Sequence, residues 1–293
     1  MTLYARTSYL PYGSFSNGLR CQSSYGQRGR TQEEVCWPWY CDMDAQGDMV
    51  IADTDNCRIQ FVSTRNNTSV CSYGHRGNQD KELMLPRSVK ISPLIGTSFV
   101  VADTGNSRVV FLLMNALKNE IQYVGSFRHK LLSEPVDVAI NNSNGNVVIV
   151  DESMHRVSFH NQYGELIGLC KTPNFELREP SAVAISSVGD ILVSDTGNSC
   201  IRIFNQFGDL KASIGRMGSA IGQFNGPRGM CFDKRGYLFI ADEKNNRVQM
   251  ISPDLTHITE AVTSIPLPKG VASHNQLLVT CADPTGFCKV YYQ

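Results

Sequence analysis

The chain has 293 residues, of which 42% are hydrophobic and 18% charged, a composition typical of a soluble globular protein with a sizeable core. Its 27 basic residues balance 27 acidic ones, so no overall field attracts nucleic acid or an anionic membrane. Any such partner must be held by a local patch. The N-terminal residues lack a signal-peptide pattern, and no apolar run approaches the ~18 residues of a membrane span, so we expect no membrane association.

Ten cysteines are spread along the chain, with no C-x-x-C pair and no zinc-type spacing to histidines. Free thiols in a reducing compartment are the simplest interpretation, and a disulfide framework is the alternative. The sequence therefore predicts no bound metal, no cofactor and a cytoplasmic location.

A ten-residue pattern recurs along the chain. ADTDNCRIQF runs from Ala52 to Phe61, and ADTGNSRVVF runs from Ala102 to Phe111. Counting more divergent copies, six aspartates mark the pattern: Asp53, Asp103, Asp151, Asp195, Asp242 and Asp283. Each follows a proline by 15 to 17 residues, the prolines being Pro38, Pro86, Pro135, Pro180, Pro227 and Pro268. Two markers that keep phase six times indicate six repeats of one structural unit.

Each repeat predicts the same succession of elements. After the proline come a short apolar run, a Gly-bearing turn, an alternating strand, the Asp turn, a second alternating strand and a polar turn into a fourth strand. Four short antiparallel strands in ~45 residues are typical of a propeller blade. The sequence therefore predicts an all-β, six-bladed β-propeller forming one domain over 1–293. Its units are expected at approximately 22–71, 72–123, 124–170, 171–213, 214–263 and 264–293.

The sixth unit ends after three strands, so another part of the chain must complete it. Either TLYARTSYLP or the following FSNGLRCQSSYG is expected to supply the missing strand, and we assign the closing strand to residues 1–21. Closure of this kind leaves few exposed strand edges.

The repeated aspartates are expected to be structural. An Asp at a strand end can accept hydrogen bonds from the backbone N–H groups of the next two or three residues and so close a tight turn. The arginine that follows, such as Arg58 or Arg108, enters the next strand close enough to pair with a neighbouring Asp.

The repeats resemble the NHL repeat. The pattern P-x-G-V, then G-x-I/L-x-V-A-D-x-x-N-x-R-I-x-F, covers essentially the whole chain and is strongest from Ile214 to Ile251. The third unit departs from it at DESMHR, and the sixth departs most. The six-unit length and the C-terminal CKVYYQ are similar to the propeller of TRIM-NHL (Brain tumour-like) proteins.

That resemblance implies a function and a set of partners. TRIM-NHL propellers commonly bind short single-stranded RNA motifs, uridine-rich ones among them, and repress or destabilise messages, some alongside the microRNA machinery. It implies a monomeric RNA-binding domain without catalytic activity of its own, with protein partners in mRNA repression and a place in cytoplasmic ribonucleoprotein granules. The full-length protein would belong to the RING-type ubiquitin ligase family.

Charge and aromatic residues point to one face. The inter-blade loops leading to each proline hold twelve basic against seven acidic residues, the Asp turns on the same face carry a net charge of −4, and the opposite face also counts −4. Single-stranded RNA needs cations for phosphates and flat surfaces or amides for bases. In the resembled family, residues beside this proline and in the Asp turn contact RNA. The candidates here are Trp37, Trp39, Arg87, Arg228 and Lys269, with Asn56, Asn106, Asn198 and Asn246 as base-edge readers and Arg76, beside His75 and Gln79, in a loop.

Two other functions compete with RNA binding. A catalytic metal in the axial channel would need converging His or carboxylate side chains, but the six histidines occupy no shared position in the repeat. A protein-interaction platform, such as the substrate receptor of a RING-type ubiquitin ligase, fits the near-zero net charge.

Overall fold

The computed structural model describes residues 2–3, 20–92, 98–115, 119–141, 143–275, 277–282 and 287–292. Asp283, the last marker of the repeat, lies outside the described residues, as does the stretch 4–19 of the expected closing segment.

Short β-strands make up almost all of the regular structure. The first six are β1 (Thr2–Leu3), β2 (Arg20–Tyr25), β3 (Pro38–Met43), β4 (Met49–Asp53), β5 (Arg58–Ser63) and β6 (Thr68–Tyr73). The next eight are β7 (Ser88–Ser92), β8 (Ser98–Asp103), β9 (Arg108–Asn115), β10 (Glu120–Phe127), β11 (Pro135–Ile140), β12 (Val147–Asp151), β13 (Arg156–His160) and β14 (Leu166–Leu169). Eight more are β15 (Pro180–Ile185), β16 (Ile191–Asp195), β17 (Cys200–Phe204), β18 (Leu210–Ile214), β19 (Pro227–Phe232), β20 (Leu238–Asp242), β21 (Arg247–Ile251) and β22 (Ile258–Thr263). The last three are β23 (Pro268–His274), β24 (Leu277–Ala282) and β25 (Phe287–Tyr292).

Within the described ranges the strands pair into six sheets, each with four antiparallel strands from one repeat or its completion. We number them in chain order: sheet 1 (β3–β6), sheet 2 (β7–β10), sheet 3 (β11–β14), sheet 4 (β15–β18), sheet 5 (β19–β22) and sheet 6 (β23–β25 with β2). In sheet 1 the two sequence markers lie opposite each other, Pro38 beside Asp53, and the same register recurs in other sheets. The prediction of an all-β propeller with four-stranded antiparallel blades is confirmed.

The first strand of every sheet lies at a common axis. β3 packs beside β7, and the contacts continue through β11, β15, β19 and β23, which returns to β3. Within each repeat the chain runs outward from this first strand, so the fourth strand lies at the outer edge of the ring. The residue after each proline is therefore carried to one end of the axis.

Two N-terminal strands add to sheets made by later parts of the chain. β2 lies antiparallel beside β25, with Cys21 opposite Tyr291 and Tyr25 opposite Cys288. β1 lies parallel to the outer strand β18, with Leu3 opposite Ile214.

The core consists of layers between neighbouring sheets. Buried side chains form six clusters in the described structure, each joining one sheet to the next, as where Phe61 of sheet 1 packs on Phe99 of sheet 2. The second strands are flanked on both sides by such layers, which is why MVIAD and LFIAD are buried at every position. The outer strand β14 is exposed at three of its four positions.

The repeated aspartates hold loops from further back in the chain, which corrects the expected turn. Asp53 accepts a hydrogen bond of 2.7 Å from the backbone N–H of Cys36, and Asp103 one of 2.7 Å from Met84. The donors lie 17 to 19 residues earlier because the proline and the Asp are paired across two strands, which brings the loop before the proline to the carboxylate. Asp151 also accepts from a residue just ahead, the N–H of Met154.

The arginine after the Asp turn pairs as expected with the Asp of its own sheet in sheets 1, 2 and 5, whereas Arg156 of sheet 3 donates to the carbonyl of Met154 instead. Arg58 lies 2.7 Å from Asp53, and Arg108, fully buried, lies 2.7 Å from Asp103. Each also donates to carbonyl groups of the preceding loop, as Arg58 does to Glu34 and Thr31. Charge-assisted bonds of this kind satisfy buried carbonyls and fix the loop.

The part of the chain that the structure describes holds no helix with the length and apolar character of a membrane span.

Candidate functional site

The residues that follow the prolines converge at one end of the axis. The indole ring of Trp39 lies within reach of three cations: the Lys269 ammonium at 4.1 Å, the Arg87 guanidinium at 4.3 Å and the Arg228 guanidinium at 5.5 Å. Arg87 and Lys269 come from the sheets on either side of sheet 1. We call Trp39, Arg87, Arg228 and Lys269, with two glutamates described next, the axial cluster. Its indole stabilises the cations by cation–π attraction.

Two glutamates that sequence reasoning missed join these cations together. Glu152 lies 2.5 Å from Arg87 and 3.1 Å from Arg228, and Glu243 lies 2.9 Å from Arg228 and 3.4 Å from Lys269. All five charged side chains are between 10% and 23% exposed. Burial opposes the charge on Arg228, but Tyr40 and the glutamate carboxylates raise the pKa of its guanidinium, which stays a cation.

Both glutamates occupy the position directly after the repeated Asp. In sheets 1, 2 and 4 that position holds a threonine, and the hydroxyl of Thr54 donates to the carbonyl of Pro86 in the next sheet at 2.8 Å. Thr104 and Thr196 make the same bond to Pro135 and Pro227. In sheets 3 and 5 the longer glutamate side chain reaches the axis instead. The signal in the sequence was the change from DT to DE, in DESMHR and DEKNNR.

Trp37 lies further out on the same face, half-buried between two cations. Arg28 lies 5.8 Å and Lys269 6.0 Å from its ring. Its backbone φ is +52°, an uncommon conformation for a bulky residue, and the residues before Pro86 and Pro268 adopt the same conformation. Both tryptophans are half-buried, and cations lie closer to the ring of Trp39 than to that of Trp37.

Directly beneath the axial cluster, the side chain of Tyr40 crosses the axis of the ring. Its hydroxyl donates a 2.7 Å hydrogen bond to the carbonyl of Ser181 on the opposite side of the ring, and its side chain is buried. Gly229 and Gly270 make room for it, since a Cβ at either position would lie 2.9 or 3.1 Å from the tyrosine ring. Burial raises the pKa of the Tyr40 hydroxyl well above its usual range, so the group stays a neutral donor.

The asparagines expected to read bases are tied to the protein through their amide N–H groups. Asn56 donates to Asp53 at 2.9 Å and to the carbonyl of Gly29 at 2.8 Å, and Asn106 and Asn198 make the corresponding bonds. In sheet 5 this role belongs to Asn245, so Asn246 was misaligned by one residue. Asn246 is the exposed left-handed residue of the turn, and its side-chain oxygen accepts from the N–H of Leu267.

Exposed cations surround the axial cluster on the loops and turns of this face. Arg76 is exposed and lies 3.8 Å from the sulfur of Met84, and Arg128 donates to the carbonyl of Asn106. The exposed charges of these loops are nine cations, Arg28, Arg30, Arg76, Lys81, Arg128, Lys130, Arg178, Arg216 and Lys244, against six acids, Glu33, Asp55, Asp80, Glu134, Glu176 and Glu179. We call the nine cations the loop rim. Lys171 lies at the other end of the strands, where it pairs with Asp209 in the turn between β17 and β18. The local excess of positive charge expected on this face is present at its surface.

Other reactive side chains are dispersed. In the described ranges, no group of three or more His, Cys, Asp or Glu side chains is arranged to hold a metal ion. Cys36, Cys57, Cys71, Cys170, Cys200 and Cys231 are free thiols, in line with the simpler interpretation of the cysteines. Burial raises the pKa of Cys71 to about 11 and that of Cys200 to about 12, so neither is a ready nucleophile.

Comparison with known families identifies NHL repeats in this chain, at residues 132–158, 177–204 and 224–250. These segments run into sheets 3, 4 and 5 and include the Asp turns of all three. The chain is therefore a propeller that carries NHL repeats.

Two fly proteins are similar in sequence. Protein brain tumor of Drosophila melanogaster is 26% identical over 144 residues, which are 49% of this chain and 13% of that protein. Protein wech of the same species is 32% identical over 91 residues, 31% of this chain and 10% of that protein. The matched region is thus a small part of these relatives.

Solved structures share the fold at low sequence identity. The β-propeller domain of Cps50 (Swd1) from Myceliophteria thermophila has a TM-score of 0.64 and 10% identity, covering 94% of this chain and 99% of that one. Virginiamycin B lyase from Staphylococcus aureus has a TM-score of 0.60 and 13% identity, covering 92% of this chain and 89% of that one. The fold alone is therefore common to enzymes and other proteins.

Proposed function

We propose that this chain is a six-bladed propeller of the TRIM-NHL type, closed by β2 in the last blade, whose loop face binds single-stranded RNA. In this proposal the domain has no catalytic activity and binds RNA with sequence selectivity. Binding leads to repression of the bound mRNA, and uridine-rich motifs are the first class of RNA to test.

The excess of exposed cations in the loop rim carries the proposal. Nine cations against six acids on one face, in a chain of zero net charge, give a polyanion a place to bind. Within the described structure, Arg28, Arg30, Arg76 and Arg128 have no ion pair. A guanidinium without a carboxylate partner is suited to a phosphate oxygen.

The axial cluster has a different part in this proposal. With Arg87 and Lys269 about 4 Å from Trp39 from the sheets on either side, its indole is engaged by the protein, so we assign it to positioning the cations. Trp37, whose cation neighbours are about 6 Å away, is then the better ring for stacking a base, which is worth ~1–3 kcal/mol. Asn56, Asn106 and Asn198 retain their side-chain oxygens as acceptors.

The similarity to brain tumor and wech supports a role in the same class of regulator. We propose protein partners in mRNA repression, the microRNA machinery among them, and a cytoplasmic location that includes ribonucleoprotein granules. A ligase activity, if the full-length protein has one, belongs to parts outside this propeller.

Fluorescence polarisation with short uridine-rich and adenine-rich RNAs at two salt concentrations tests the proposal. The double variant Arg76→Ala, Arg128→Ala removes two exposed rim cations that flank Asn106. We expect weaker binding to every RNA and a salt slope lower by roughly 0.7 for each phosphate that is no longer neutralised. Trp37→Ala should instead reduce the preference among bases.

The matched control removes two exposed lysines from the opposite face. Lys211 lies near the start of β18 and Lys234 lies in the turn between β19 and β20, both away from the loop rim. Replacing both by alanine changes the net charge by the same amount as the Arg76→Ala, Arg128→Ala variant does. If both double variants weaken binding alike, only total charge matters and the loop face is not the site. If no RNA binds at low salt, the proposal is wrong, and a search for protein partners takes its place.

A further inference from the structure

A cavity of about 590 Å³ opens between sheets 2 and 3, at the end of the strands opposite the loop rim. Its walls include Ser92 and Ser98 at the turn between the first two strands of sheet 2, and Ile140 and Gly145 at the equivalent turn of sheet 3. A volume of this size lies within the ~300–1,000 Å³ of small-molecule sites and is too large for one protein side chain.

The walls of the cavity are uncharged. None of the sixteen described residues that line it is Asp, Glu, Lys, Arg or His, although 18% of the chain is Asp, Glu, Lys or Arg. Phe99, Phe111 and Phe127 supply aromatic surface, and Phe111 and Phe127 pack at 5.9 Å between ring centroids. An ion or a phosphate would find no counter-charge among these described residues, so they suit a neutral, mostly apolar molecule.

An irregularity in β10 forms one wall. The pairing of β10 with β9 shifts between Tyr123 and Gly125, which leaves Val124 63% exposed at the cavity. A Cβ built on Gly125 would meet no atom within 4 Å. Gly125 thus lines the cavity and has open space beside it. Tyr163, 75% exposed, lies at the same cavity from the turn of sheet 3.

We propose that this cavity binds a neutral, predominantly apolar small molecule, held between the aromatic wall of sheet 2 and the turns of sheet 3. Ser126 and Gln162 supply the hydrogen-bonding groups that would orient it. Most of its lining lies at the ends of the strands away from the loop rim, and Phe127 directly precedes the rim residue Arg128.

Titration with the neutral dye Nile red tests the proposal, because its fluorescence rises in apolar surroundings. We expect one dye molecule bound per chain. Gly125→Leu places a side chain in the empty space and should weaken binding by about tenfold or more, with Gly125→Ala giving a smaller loss. Thermal melting is measured for each variant, so that a loss of fold is distinguished from a filled cavity.

Gln122→Leu is the matched control, since it adds the same side chain to an exposed position of β10 outside the cavity. It should leave dye affinity unchanged. The proposal is overturned if the wild-type chain does not bind the dye, or if a folded Gly125→Leu variant binds it as well as Gln122→Leu does. RNA affinity of Gly125→Leu should match the wild type, which separates this site from the proposed RNA face.

Discussion

At the scale of single residues, two glutamates compete with any outside anion for the cations of the axial cluster. Glu152 and Glu243 hold Arg87, Arg228 and Lys269 in ion pairs of 2.5 to 3.4 Å. Removing one partner of such a half-buried pair leaves a charge with less compensation, which costs stability. The same removal raises the positive potential that a phosphate would meet.

We expect Glu152→Gln, Glu243→Gln to be less stable by about 1–3 kcal/mol and to bind RNA more tightly at low salt. The cations of the axial cluster lose their carboxylate partners while the shape of the side chains is kept. Urea denaturation measures the first effect and fluorescence polarisation the second. Unchanged RNA affinity in a folded double variant would mean that RNA does not approach the axis, and binding would then depend on the loop rim alone.

At the scale of elements, the end of β10 packs against the end of β13, next to the turn into β14. Phe127 stacks on His160 at 5.5 Å, and His129 meets the same imidazole edge-on at 5.0 Å. The Nδ1 of His160 lies 3.1 Å from the carbonyl of Gly164, which can only accept, so Nδ1 carries the proton and Nε2 accepts from Ser158. Sheets 2 and 3 are thus joined through a neutral histidine.

Acid should weaken this junction. Burial, with a smaller effect from His129, lowers the pKa of His160, so below about 6.5 the unfolded chain binds a proton that the folded chain does not. The free energy of unfolding should therefore fall as pH drops from 7 through the lowered pKa, by at most about 1.4 kcal/mol per pH unit from this group. Urea denaturation at several pH values measures the slope.

Two variants isolate the contribution of His160 to that slope. His160→Gln should reduce the slope, because the titrating group is gone. Ser158→Ala keeps the imidazole and should keep the pH dependence, whatever its effect on stability at pH 7. A slope in His160→Gln equal to that of the wild type would contradict the assignment.

At the scale of the whole molecule, Tyr40 links opposite sides of the ring. The inter-sheet layers join each sheet only to its neighbours, whereas the Tyr40 hydroxyl reaches from sheet 1 to the carbonyl of Ser181 in sheet 4. The aromatic ring also fills the space left by Gly229 and Gly270. One side chain thus packs against strands from four of the sheets.

Tyr40→Ala should destabilise the fold by about 3–5 kcal/mol, since a buried aromatic ring is removed and a cavity remains. Tyr40→Phe keeps the ring but leaves the Ser181 carbonyl without its donor, at a cost of about 1–3 kcal/mol. Urea denaturation compares the two. Equal, small losses for both variants would show that the channel is not held by this residue.

The repeated prolines and aspartates were sufficient to predict the blades and the convergence of Trp39, Arg87, Arg228 and Lys269, because one period fixes equivalent positions in every sheet. The partners of those cations were missed. Glu152 belongs to the divergent unit DESMHR, whose departure from the repeat does not by itself indicate an interaction. A longer side chain at that position changes the direction of its interaction, which only the geometry reveals.

The position of Tyr40 across the axis was also not predicted from the sequence. The positions two after the prolines hold Tyr40, Ser88, Asp137, Ala182, Gly229 and Gly270, so one large residue faces several small ones. That size complementarity is visible only when the six positions are read as one layer. Asn246 was misplaced for the opposite reason, since an extra asparagine beside Asn245 made a local match that the register does not support.

The Tyr40 hydroxyl bonds a strand on one side of the axis to a strand on the opposite side. Any widening of the ring along this line would therefore break that hydrogen bond. We expect the ring to keep a fixed diameter, with the loop face on one side and the turns between the first two strands on the other.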